Sequence, residues 1–332
     1  MPPTAAARAK HALRTAESHV RRGNDPLWRY VFNAPAVVRH RRARPELGQE
    51  ATRCLADLRR DGVATTSLEA LTGDRDLLGR LQALAGDLEE GQQAVREQQE
   101  RQLREGQVLA DKDKVFVVQL LGARRPVLDP ADLLARTALD PQLQGVVDEY
   151  FGLATRVSDV NVWRNLPSGA APVSSQRWHR DTAEDRMVVK AFVYLEPVTE
   201  ASGPFRYAQS TQPGGSAAVS VPSEFDGVNH RVPDGPESAL LDARERVFTG
   251  PAGTVVIADT LGYHRGGWAT SASRLAVQVR YSSLAATGNT RLGTPSSLSS
   301  QQRRQWRHRL AYDSRVTGPS LSQRMSAGAS SP

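Results

Sequence analysis

The sequence predicts an α+β chain, mainly β, built as an antiparallel barrel or sandwich with helices packed outside. Two observations carry this prediction. After about residue 113, short runs rich in Val, Ile, Tyr and Phe recur with Gly and Pro between them, which is the pattern of strands. Before that point apolar residues recur at helical spacing, so the strands follow a largely helical region.

In order along the chain, residues 1–48 are basic and show no clear buried pattern beyond LWRYVF (27–32), and they read as an N-terminal helix and arm. ATRCLADLRRDGVATTSLEAL (51–71) gives an amphipathic helix, a turn at Asp61-Gly62 and a short strand. Leu77, Leu78, Leu81 and Leu84 predict a helix, and EEGQQAVREQQERQLREGQ (89–107) predicts a polar, solvated one. KVFVVQLLG (114–122) is a strand candidate, and residues 130–152 read as two short helices. VSDVNVWRNLP, MVVKAFVYLEPV, GPFRYAQS, GTVVIADT and SRLAVQVRYSS then predict five strands between residues 157 and 283. Residues 212–247 form a Gly-, Pro- and Ser-rich insert containing His230, Arg231 and Glu245, expected to be a lid or binding loop. The main domain is expected over 49–290. Residues 291–332 are expected to hold a C-terminal helix and, from Asp313, a polar tail without fixed structure.

Composition narrows the function classes. The chain has 332 residues and a formal charge of +7, but the basic residues are dispersed Arg rather than a stripe interleaved with aromatics, which disfavours nucleic acid. Cys54 is the single cysteine, so an intramolecular disulfide and a multi-cysteine metal site are both excluded, and a reducing cytoplasm fits. No apolar run approaches the length of a membrane span.

The chemistry concentrates in two places. His179 and Asp181 stand two apart, so in an extended segment their side chains point the same way. Such a pair also arises by chance. His264, just past the strand candidate 254–259, supplies a second imidazole, and together the three make the 2-His-1-carboxylate set that holds non-haem iron with open positions. Ten residues later Arg274 opens a strand. A guanidinium pointing into a barrel requires an anionic partner, and a carboxylate suits its fork.

WHRD (178–181), FVYLEPVTEASGPFRY (192–207), GTVVIADTLGYHRGG (253–267), Arg274 and LRRDGVATTSLEAL (58–71) together resemble the phytanoyl-CoA dioxygenase family of Fe(II)- and 2-oxoglutarate-dependent oxygenases, over roughly residues 50 to 285. The resemblance implies a double-stranded β-helix, a jelly-roll or cupin-like barrel with flanking helices. It implies Fe(II) on His179, Asp181 and His264, with 2-oxoglutarate and O2 as co-substrates. Arg274 clamps the far carboxylate of 2-oxoglutarate, and Asn161, Gln176, Lys190 and Phe192 fall where the family lines its pocket. The implied reaction is hydroxylation of an unactivated C–H bond of a small-molecule metabolite or natural-product intermediate, with succinate and CO2 released. The positive charge favours an anionic substrate. Asp181 disfavours halogenation, since related halogenases lack that carboxylate. One departure is AQST (208–211), where the family carries a Gly-Ser-His turn. Trp163, Trp178 and Trp268 flank the site in sequence and are candidates for its apolar wall. The alternatives are a cupin-like metalloenzyme that does not use 2-oxoglutarate, a metal-free protein on the same fold, and an oxygenase acting on nucleic acid.

Overall fold

A computed structural model describes residues 25–106, 114–122, 125–181, 185–218, 231–232, 234–287 and 291–328. Its strands are β1 (Val63–Ser67), β2 (Val117–Gln119), β3 (Arg156–Asn165), β4 (Val189–Tyr194), β5 (Phe205–Ala208), β6 (Glu245–Phe248), β7 (Thr254–Asp259), β8 (His264–Arg265), β9 (Arg274–Ser282), β10 (Leu292–Pro295) and β11 (Tyr312–Gly318). The helices that matter below are α1 (Ala34–Arg42), α2 (Gln49–Asp61), α3 (Leu68–Thr72), α4 (Leu77–Glu90), α5 (Gln93–Arg104), α6 (Leu133–Ala138) and α7 (Pro141–Phe151).

The helix-to-strand entry is local chemistry. Helix α2 buries Ala51, Cys54, Leu55 and Leu58, one stripe at helical spacing. It stops at Gly62, whose φ of 77° is left-handed, and the Gly62 amide closes the helix on the Leu58 carbonyl at 3.0 Å. A side chain there would strike the Tyr207 hydroxyl at 2.4 Å. Strand β1 follows at once and pairs antiparallel with β7. The predicted α4 buries Leu77 and Leu81, while α5 buries nothing and is solvated as expected.

Two sheets face each other. The larger has the order β1-β7-β4-β9-β3-β2, antiparallel throughout, and the smaller has the order β6-β5-β8. Alternation along the large sheet sorts its side chains. Val160, Val162, Ala191, Val193, Val255, Ile257, Val277 and Val279 pack outward against Leu58, Leu81, Leu143 and Val146 of the helices. Phe192, Tyr194, Val256, Ala258 and Ala276 face inward onto Phe205, Tyr207 and Phe248 of the smaller sheet. Phe192 and Phe205 meet across that gap with ring centroids 4.8 Å apart. The inward row also carries the polar residues of the site.

Three expectations change. The insert 212–247 is not loop throughout. It contains a helix, Pro236–Asp242, and then β6, which pairs with β5 and completes the smaller sheet. Residues 219–230, His230 among them, and 233 lie outside the described residues. The C-terminal segment is also structured to residue 328: β11 pairs parallel with β10, and a helix spans Leu321–Gly328. Its polar groups are engaged, which is why a polar composition misleads here. The Asp132 carboxylate accepts from the Leu321 and Ser322 amides, Asp313 pairs with Arg125, and the Tyr312 hydroxyl donates to the Leu128 carbonyl. Finally, residues 28–44 pack onto the body. The Trp28 indole is buried and donates to Asp185, whose other oxygen accepts from the Ser283 amide, and Glu149 binds both His40 and Arg44. Residues 1–24 lie outside the described residues.

Candidate metal centre

His179 and Asp181 lie in an extended segment that runs beside β8. The His179 amide and carbonyl exchange hydrogen bonds with His264, both at 3.0 Å, and the Asp181 amide donates to the Thr260 carbonyl at 2.8 Å. The alternation rule therefore holds, and both side chains leave the backbone on one side. The ligand-capable atoms of His179, Asp181 and His264 all lie within 4.8 Å of one another, the arrangement needed to hold one ion.

Each imidazole is oriented by its own backbone. His179 Nδ1 lies 2.9 Å from the Arg177 carbonyl, and His264 Nδ1 lies 3.1 Å from the Gly262 carbonyl. A carbonyl only accepts, so Nδ1 carries the proton and Nε2 presents its lone pair toward Asp181, 3.7 Å away for His264. Burial pushes the His264 pKa down to about 4, and burial together with His264 holds His179 well below its ordinary value. Both rings are thus neutral near pH 7, as metal ligands must be. Burial opposes ionisation of Asp181, but the Lys190 ammonium first, and each imidazole where it is protonated, outweigh it and hold the carboxyl well below the usual range. Lys190 Nζ lies 2.7 Å from Asp181 Oδ2.

Arg274 enters from β9, directly opposite Asn165 on β3. It is only 5% exposed. Its Nη2 donates to Asn165 Oδ1 at 2.9 Å, while Nε and Nη1 find no acceptor among the described residues. The Tyr194 hydroxyl donates to the Phe248 carbonyl, and its oxygen stands close enough to the guanidinium to favour the charged form against burial. A buried guanidinium left two-thirds unsatisfied is costly, on the order of several kcal/mol. Arg274 lines a cavity of about 190 Å³ that His179, Asp181 and His264 also line.

The same cavity is walled by Lys190, Phe192, Phe205, Trp163, Gln278 and Gly266. Of the four further residues proposed to line it, Lys190 and Phe192 do so. Asn161 does not: its amide is spent bracing the loop after β2, through Leu121, Gln119 and Gly122. Gln176 is also held off the wall, donating to the Gly267 carbonyl and accepting from the Val173 amide. Of the three tryptophans, Trp163 reaches the cavity. Trp178 is core, bonded to Asp242 and stacked under Arg265, and Trp268 is 41% exposed. The AQST turn lies away from the cavity and docks on the end of α2, where the Ser210 amide donates to the Asp61 carbonyl. Arg231, named in the sequence as part of the 212–247 insert, lines the cavity, and so do Lys114, Arg180 and Arg280, which were not singled out as site residues. Arg280 was within reach, because it shares inward parity with Arg274 on β9. The others depend on long-range placement.

No family model matches the sequence, and no curated protein does. Among solved structures the chain is similar to SnoK, a non-heme alpha ketoglutarate dependent carbocyclase from nogalamycin biosynthesis, with 17% identity, 78% of this chain and 91% of that chain covered, and a TM-score of 0.46. It is similar to EctD from S. alaskensis, with 19% identity, coverage of 83% and 91%, and a TM-score of 0.45. The epimerase SnoN, whose structure holds Fe3+, alpha ketoglutarate and nogalamycin RO, gives 17% identity, coverage of 70% and 83%, and a TM-score of 0.43. At such identities and scores a likeness assigns no activity, and the reading rests on the residues of this chain.

Proposed function

We propose that this protein is a non-haem Fe(II)- and 2-oxoglutarate-dependent oxygenase that hydroxylates a small molecule at an unactivated C–H bond. His179, Asp181 and His264 would hold the iron, and Arg274 the far carboxylate of 2-oxoglutarate. The observation that carries this reading is the pairing, in one cavity, of a two-imidazole, one-carboxylate ligand set with a buried guanidinium whose Nε and Nη1 lack acceptors. A cupin-like centre that needs no 2-oxoglutarate leaves that guanidinium unexplained. The donor set suits Fe(II), and a three-ligand face leaves positions for a bidentate co-substrate and O2. The two facing sheets fit the double-stranded β-helix expected from the resemblance.

When bound, Fe(II) would activate O2, the oxidant, while 2-oxoglutarate would supply two electrons and be released as succinate and CO2. The chain's own residues do the rest. The Arg177 and Gly262 carbonyls fix the tautomer and aim of the two imidazoles. Asn165 fixes the Arg274 fork. Phe192 and Phe205 form an apolar floor that limits water.

The test is anaerobic visible spectroscopy of the Fe(II)-loaded protein with and without 2-oxoglutarate. A weak charge-transfer band should appear on adding 2-oxoglutarate and be absent in His179→Ala. A wild-type protein that binds Fe(II) but shows no band sinks the 2-oxoglutarate assignment.

A further inference from the structure

The turn between β7 and β8 supports two of the three metal ligands at once. The Thr260 carbonyl accepts from the Asp181 amide at 2.8 Å, and the Gly262 carbonyl accepts from His264 Nδ1 at 3.1 Å. A shift of this turn would move the Asp181 backbone and swing the His264 ring together. Whatever sets the turn therefore sets the shape of the centre.

Asp259 is the last residue of β7 and follows Val255 and Ile257 in the row that packs outward against the helices. A carboxyl group breaks the character of that row. It is 2% exposed, and burying it is costly unless its oxygens are bonded. Both are. Oδ1 accepts from the Leu261 amide at 3.0 Å, which bends the chain back at the start of the turn. Oδ2 accepts from the Tyr150 hydroxyl of α7 at 2.7 Å. The backbone of Asp259 is held as well. Its amide donates to the Gly62 carbonyl at 2.8 Å, and its carbonyl accepts from the Gly262 amide at 3.0 Å and from the Tyr207 hydroxyl at 2.8 Å. Tyr207 also packs directly on the turn, since a Cβ on Gly262 would overlap its oxygen. Tyr207 thus fixes the turn from between the sheets, and Tyr150 fixes it from the helix layer. A Val or Ile at 259 would continue the apolar row, but it would leave the Leu261 amide and the Tyr150 hydroxyl without this acceptor.

We propose that Asp259 and Tyr150 are positioning residues of the metal centre: together they set the β7–β8 turn, which presents the Thr260 carbonyl to Asp181 and the Gly262 carbonyl to His264. The inference rests on the reading of His179, Asp181 and His264 as the ligands of one ion. Tyr150 acts on the centre through Asp259, from a helix on the outer face of the sheet. The helix layer therefore contributes to the aim of the ligands as well as to the burial of the sheet.

Mn(II) titration of the full chain, followed by electron paramagnetic resonance, tests the inference. The wild type should bind the ion, and His179→Ala should lose it. Asp259→Ala should weaken binding by about tenfold or more, and Tyr150→Phe severalfold. Asp259→Asn keeps an acceptor for the Leu261 amide and should stay within about threefold of the wild type. Tyr312→Phe is the control, because it removes another hydroxyl that bonds across the fold, to the Leu128 carbonyl at 2.8 Å. It should lower the urea midpoint as Tyr150→Phe does, yet leave Mn(II) affinity within about twofold. The visible bands of the Co(II)-loaded protein should change in Tyr150→Phe and not in Tyr312→Phe, because they report the arrangement of the ligands and not stability. Should Asp259→Ala fail to fold, Tyr150→Phe and its control carry the test. Wild-type Mn(II) affinity in Tyr150→Phe overturns the inference. So does equal weakening in Tyr150→Phe and Tyr312→Phe, which marks a general loosening. A wild type that binds no Mn(II), or binding that survives undiminished in His179→Ala, brings down the metal reading itself and the positioning role with it.

Discussion

Arg274 Nη2 donates to Asn165 Oδ1 at 2.9 Å across the β9–β3 pair, and this hydrogen bond fixes a guanidinium whose Nε and Nη1 have no acceptor among the described residues. A group held this way is preorganised for a ligand at the expense of the empty protein. Arg274→Met should therefore have opposite effects on two measurements. Removing an uncompensated buried charge should raise the stability of the ligand-free protein by about 1–3 kcal/mol in urea unfolding. Affinity for 2-oxoglutarate should fall roughly 100-fold, the loss of two charge-assisted hydrogen bonds. A variant that is less stable and still binds 2-oxoglutarate would show the guanidinium to be structural.

Gly267 tests the same clamp by steric means. Its φ of 79° is left-handed, and a Cβ there would lie 2.4 Å from Asn165 Nδ2 and 3.6 Å from Arg274 Nη2. Gly267→Ala must displace the Asn165 amide and with it the aim of the fork. 2-Oxoglutarate affinity should drop by about tenfold or more while Mn(II) affinity is retained. Equal loss of both would point to general collapse of the loop instead.

The metal pattern was legible in the sequence because it rests on local rules: parity along an extended segment for His179 and Asp181, a strand end for His264, and the start of β9 for Arg274. Most strands were legible because their runs are bounded by Gly and Pro. β6 was hidden, since ERVF is a short run within a polar insert and declares itself only by pairing with β5. A C-terminal helix was expected and stands at Ser300–Trp306, but β11 and the last helix, Leu321–Gly328, were hidden because they are tied to Asp132, Arg125 and Leu128, nearly two hundred residues earlier in the chain. Arg280 was within reach through its parity with Arg274, but that it faces Lys190 is a matter of register between β9 and β4, which no local pattern encodes.

Lys190 and Asp181 form a pair whose meaning depends on the metal. Lys190 Nζ, 2.7 Å from Asp181 Oδ2, balances the carboxylate when no ion is bound and competes with an ion when one arrives. Lys190→Met should destabilise the metal-free protein by about 1–3 kcal/mol, because Asp181 is left without its closest counter-charge. Mn(II) should bind roughly tenfold more tightly, since a neighbouring positive charge has gone. The thermal shift on adding Mn(II) should accordingly be larger in the variant than in the wild type. Weaker metal binding would mean instead that Lys190 orients Asp181 for the ion.

Asp148 supplies a pH dependence independent of the metal. It is buried at the end of α7, and its Oδ1 accepts from both the amide and the hydroxyl of Thr155. Burial lifts its pKa to about 6, against the pull of the Thr155 bonds and the charges of Arg309 and His40. The folded chain therefore holds a proton between about pH 4 and 6 that the unfolded chain has already released. Stability from this group is fully present below the unfolded pKa and is lost as pH rises through about 6, a loss on the order of 3 kcal/mol in all. Asp148→Asn keeps the acceptor and removes the titration. The stability of the variant relative to wild type should thus increase between pH 4.5 and 7.5 by about 2 kcal/mol, since part of the loss already lies below pH 4.5, as read from urea unfolding at the two pH values. Parallel pH profiles for the two proteins would mean that Asp148 is already ionised in the folded state at the lower pH.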